Sequence, residues 1–168
     1  LMPDSEKHNA SFFKVRCPRT GRLILHVLKD FPKKDDPNLK VSPETYDELL
    51  TATLRERRDQ FFRFLDFKRN YYQDKLTGLT VQEIYFPSDP RYSRLPYKSS
   101  GFFSEDFRAV ILQLDTVYMR IEACRLMGLL GVEEYHRHVR QLEGGTFNAF
   151  LRLRRAFSKV LKDAVSMG

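Results

Sequence analysis

SPETYDELLTATLRERRDQFFRFLDFKRNYYQDKLTG, residues Ser42–Gly78, is the stretch whose reading decides the fold. It predicts one helix of roughly 35 residues, because apolar side chains recur at helical spacing from end to end. Tyr46, Leu50, Leu54, Phe61, Leu65, Tyr72 and Leu76 make the stripe. Ser42 offers a hydroxyl to the orphan amides of the first turn, and Pro43 suits the first helical position, where no amide proton is needed. Lys75 lies in the last turn, and Gly78 follows as a residue able to take the left-handed conformation.

Two features of this stripe bear on function. Arg57 and Lys68 fall on the apolar seam, about three turns apart. They read as charges that snorkel or pair with a carboxylate, with Asp115 or Glu122 as the expected partner, or else as an anion or nucleic-acid site. Phe62 and Phe67 point away from the side that Phe61 and Leu65 occupy. They are candidates for a protein contact surface if the middle of the helix is not covered all round.

Working outward, residues 1–10 are polar and expected to be flexible. Residues 11–28 hold two β-rich runs around Pro18-Arg19-Thr20-Gly21 and predict a β-hairpin. A lone hairpin is marginal in water, so residues 80–86 are expected to add a third strand. Residues 87–103 read as a long loop interleaving Tyr92 and Tyr97 with the cations Arg91 and Arg94. That composition fits a protein contact or a platform for single-stranded nucleic acid. Residues 104–128 predict a buried helix with its seam at Phe107, Val110, Ile111, Leu114, Val117, Tyr118, Ile121 and Cys124. A second stripe of Leu112, Met119 and Leu126 is expected to be buried as well. A short helix over 132–143 is expected to end at Gly144-Gly145, with Thr146 capping a last amphipathic helix over 146–165. Arg152, Arg155, Lys159 and Lys162 stripe the polar face of that helix, as anion or nucleic-acid candidates.

The whole is expected to be one α+β domain, predominantly helical. A small antiparallel sheet (N-terminal hairpin plus one strand) would pack on a bundle of two long helices and a C-terminal amphipathic helix. A hydrophobic content of 42% over 168 residues supports a folded core of that size. The net charge of +7 is concentrated at the two ends. Residues 1–41 hold nine cations against five anions and 132–168 hold seven against four, whereas 42–78 is neutral. An excess of this kind suits acidic partners without demanding one.

Cys17 and Cys124 are the only cysteines, too few for a disulfide framework or a zinc site. With no apolar run long enough to span a bilayer and no signal-peptide core, the chain is expected to be intracellular, cytoplasmic or organellar. It begins Leu1-Met2 and is read as part of a larger protein. No phosphate-binding loop, HExxH or nucleophile elbow occurs, and His136 and His138 would project to different sides of a helix. The chain is therefore expected not to be an enzyme and to hold no cofactor or metal. It reads as a non-enzymatic protein–protein interaction or assembly domain, with RNA or single-strand binding as the alternative. An anionic membrane surface and a second copy of the chain are further candidate partners.

Overall fold

A computed structural model describes residues 12–79, 85–87, 89–96 and 105–167. Its elements, in chain order, are β1 (Phe12–Lys14), α1 (Pro18–Leu28), α2 (Pro43–Leu76), α3 (Pro90–Ser93), β2 (Arg94–Pro96), α4 (Glu105–Leu126) and α5 (Val132–Met167).

The long helix forms with the ends its sequence dictates. Ser42 Oγ accepts from the Thr45 amide at 3.1 Å, satisfying one orphan donor of the first turn. All seven stripe residues from Tyr46 to Leu76 are buried. Gly78 has a φ of +87°, so the chain leaves the helix through a conformation that only glycine adopts without strain.

Three helices make most of the core, with Ile24 and Val27 of α1 and Leu95 of β2 added to it. Arg55 and Arg58 pair with Asp106, Asp66 accepts from Gln113, and Tyr72 meets Cys124, so α4 runs parallel to α2. The end of α2 and the start of α4 therefore lie at opposite ends of the pair. Tyr46–Phe157, Phe61–Phe150 and Tyr72–His138 contacts place α5 antiparallel to α2. Phe150 is the shared centre, with its ring 5.0 Å from Phe61 and 5.6 Å from Phe107. The turn between α4 and α5 is closed by Gly128 at φ +74° and by the Leu129 amide donating to the Cys124 carbonyl at 2.8 Å. This 6→1 bond is the usual helix end with a left-handed glycine.

The expected N-terminal β-hairpin is not present. Residues 18–28 form α1, and β pairing among the described residues is one three-residue antiparallel ladder, β1 against β2, with Phe13 opposite Leu95. The architecture is a helical bundle rather than a sheet packed on helices. Two facts explain the change. The buried positions Thr20, Ile24 and Val27 recur at helical and not at alternating spacing. The cap of α1 is also nonlocal: Asp115 of α4 accepts from the Arg16 and Cys17 amides at 2.8 and 2.9 Å and from the Thr20 hydroxyl at 2.6 Å. Pro18 then takes the first helical position, where its missing donor costs nothing.

Other expectations change too. Gly144-Gly145 does not break the chain and Thr146 does not cap a helix, since α5 runs unbroken from Val132 to Met167. A methyl group on Gly145 would stand 2.3 Å from the Phe64 ring, so its lack of a side chain lets α2 approach α5. The second stripe of α4 is not buried: Leu112 is 45% and Leu126 58% exposed. Within 87–103, the described part is ordered as α3 and β2. Asp89 caps α3 by accepting from the Arg91 amide at 3.1 Å. A methyl on Gly21 would lie 1.5 Å from the Tyr92 carbonyl oxygen, so α1 and α3 touch backbone to backbone. Residues 1–10 and most of the expected strand 80–86 lie outside the described residues; Tyr85 and Phe86 are described and are not in a strand.

Candidate interaction surface

The two phenylalanines proposed for contact part company. Phe62 is half-buried against the core, with the Arg58 guanidinium 5.3 Å from its ring centre. Phe67 is 69% exposed, within the C-terminal half of a 34-residue helix. One turn on, Tyr71 is 41% exposed and was not singled out by the sequence reading. The i, i+4 spacing of the two rings off the seam is the signal that would have found it. Tyr71 is fixed from three sides: it stacks on His138 at 5.7 Å, meets Tyr72 edge-on at 5.2 Å, and carries the Lys75 ammonium at 5.1 Å. A large apolar ring held still and partly open is what protein hot spots are made of.

Behind this pair lies a buried polar contact. Tyr72 Oη and His138 Nδ1 are 2.8 Å apart, joining α2 to α5. Burial lowers the His138 pKa below its ordinary value, and the neighbouring cations Lys68, Arg137 and Lys75 push the same way against Glu134. The ring is therefore neutral near pH 7.

Lys68 meets no carboxylate among the described residues. Its ammonium lies 3.5 Å from the amide oxygen of Gln141 on α5, and burial lowers its pKa. The expected partners are engaged elsewhere: Asp115 caps α1, and Glu122 pairs with Arg125. Arg57 is half-buried, with no hydrogen-bond or ion-pair partner among the described residues.

The described part of 87–103, α3 and β2, occupies a different place, against α1. Arg91 is exposed but tied to Asp89 at 3.1 Å, and Tyr92 is half-buried between the guanidinium groups of Arg91 and Arg22 at 5.2 and 5.6 Å. Arg94 is exposed on β2, opposite Lys14. Tyr97 lies outside the described residues. The described part of this stretch is thus a docked element, and its tyrosine already stacks within the chain.

Arg152, Arg155, Lys159 and Lys162 are all exposed along the outer face of α5. Arg137 and Arg140 are exposed on the same helix, nearer its start. None of these six has an ion-pair or hydrogen-bond partner among the described residues. Arg154, at the margin, pairs with Asp30 at 3.4 Å.

Among the described residues no group of three or more His, Cys, Asp or Glu is placed to hold a metal ion, and no helix is long and apolar enough to cross a membrane. Both cysteines are buried, and burial pushes the Cys17 thiol up to about 11, which keeps it protonated and unreactive at neutral pH. Compared with known protein families, curated proteins and solved structures, the chain finds no match.

Proposed function

We propose that this chain is a non-enzymatic interaction domain of a larger protein or assembly, docking a protein partner on the outer face of α2 at Phe67 and Tyr71. The observation that carries the reading is the 69% exposure of Phe67 on a helix whose seam aromatics, Tyr46, Phe61 and Tyr72, are 2% exposed or less. Leaving so large an apolar ring in water forgoes burial worth about 1.5–3 kcal/mol, which a partner would recover. Tyr71, braced by His138 and Lys75, adds a second ring that loses little side-chain freedom on binding.

A photo-crosslinking residue placed at Phe67 of the full-length protein in its own cells tests this. We expect a discrete crosslinked species that is absent when the probe sits at Glu48, exposed on the same helix. A second copy of the chain in that species would make the partner a homo-oligomer contact. No crosslink at position 67, or the same products from both positions, would overturn the proposal. Phe67→Ser should abolish the same complex while leaving the thermal midpoint within 1–2 °C, since an exposed substitution removes no core contact.

A further inference from the structure

We infer that the outer face of α5 binds the phosphate backbone of a nucleic-acid strand, through Arg152, Arg155, Lys159 and Lys162 and without reading its sequence. This rests on a different surface from the α2 aromatics and stands or falls apart from them.

Four observations lead there. The four cations span eleven residues, about 15 Å of helix, all on the side opposite Phe150, Phe157 and Leu161. None has an acidic partner among the described residues, while the adjacent Arg154 does. The exposed positions from Gln141 to Lys162 include no apolar side chain: they are Gln141, Gly144, Asn148 and the four cations. Finally, the apolar face of α5 is fully used, with Phe150, Leu153, Phe157 and Leu161 all 3% exposed or less.

Those facts discriminate between polyanions. A membrane-surface helix must push its apolar face into the acyl boundary, and this one is locked in the core. A protein interface is built on an apolar or aromatic centre with charge at the rim, and the ridge has no such centre. A phosphate strand needs only a row of cations that tracks it, together with the counterions released on contact. Arg137 and Arg140 stand further along the same helix, beyond the neutral Gly144 and Asn148, where a longer strand would reach them.

The test is fluorescence anisotropy of a labelled 20-nucleotide oligouridylate and of a duplex of equal length, each titrated with the folded chain at 50 and 200 mM salt. Four phosphate contacts on the single strand give a slope near −3 in log K against log salt, hence about 50-fold weaker binding across that range. Arg155→Gln with Lys159→Gln should weaken binding and lower the slope by about 1.4. Lys14→Gln with Lys40→Gln removes the same charge from exposed positions off this helix, and should cost less than half as much in log K. Binding of either probe with this pattern supports the inference. It is overturned if neither probe binds at 50 mM salt, or if the two double variants lose affinity equally. Equal affinity for poly-glutamate, or capture by phosphatidylserine vesicles without nucleic-acid binding, would also overturn it.

Discussion

Asp115 belongs to α4, yet its two carboxylate oxygens serve the start of α1. They take the amides of Arg16 and Cys17 and the hydroxyl of Thr20 in a site where Asp115 is 4% exposed. Three donors converge on one buried charge, and the N-terminal end of α1 favours that charge. Removing the carboxylate strands all three, so Asp115→Ala is expected to cost about 3 kcal/mol, read as a lower urea midpoint with an unchanged slope. Asp115→Asn keeps one acceptor oxygen and should cost about half as much. A loss under 0.5 kcal/mol from the alanine variant would mean that water replaces the cap. No local motif announces this contact, because 95 or more residues separate Asp115 from each donor. That separation is why 18–21 read as a turn and 22–28 as a strand: the chemistry that starts the helix is not in its own neighbourhood.

At the scale of the element, length and local capping decided what could be read. α2 and α4 each present a long seam at helical period, and every apolar residue named on it is buried. α1 has 11 residues, a span over which an apolar run of Leu, Ile and Val does not distinguish strand from helix. The glycine pair in α5 misled for a related reason. Gly-Gly is a strong local breaker, but a helix packed along α2 keeps going if its neighbours need it. The two glycines have different duties, which predicts opposite outcomes. Nothing lies within 4 Å of a methyl added to Gly144, so Gly144→Ala gains helix propensity and should stabilise by about 0.5–1 kcal/mol. Gly145→Ala drives a methyl into the Phe64 ring and should destabilise by about 1–2 kcal/mol. Thermal melts of the two single variants separate these effects. If Gly145→Ala stabilised as much as Gly144→Ala, the close approach of α2 and α5 would not depend on the missing side chain.

For the whole molecule, the placement of the candidate surfaces followed the same division between local and nonlocal information. The outward stripe of α5 was legible from its spacing, but the angle of Phe67 to the seam left its exposure open, since Phe62 read the same way and is half-buried. The fate of Arg91 and Tyr92 was not, because Gly21 and Asp89 fix them through contacts that only the folded chain provides. Burial also sets how the molecule responds to pH, on both sides of neutrality. The folded-state pKa of His138 is lowered, so between that value and about 6.5 the unfolded chain binds more protons. Its stabilising contribution is complete above about pH 6.5 and is lost as pH falls through the folded value, with a slope of up to 1.4 kcal/mol per pH unit. On the alkaline side the signs reverse. Burial raises the pKa of Tyr46, Tyr72 and Tyr118 and holds the Cys17 thiol up at about 11. Stability from these groups is complete below their unfolded values, near 8.5 for a thiol and 10 for a phenol, and is lost as pH rises beyond them. The urea midpoint should therefore form a plateau between about pH 6.5 and 8.5 and fall on either side. His138→Gln, which keeps an acceptor for Tyr72, should flatten the fall between pH 6.5 and 5, where histidine is the side chain that titrates. An unchanged acid limb in that variant would place the proton-sensitive contact elsewhere than the α2–α5 seam.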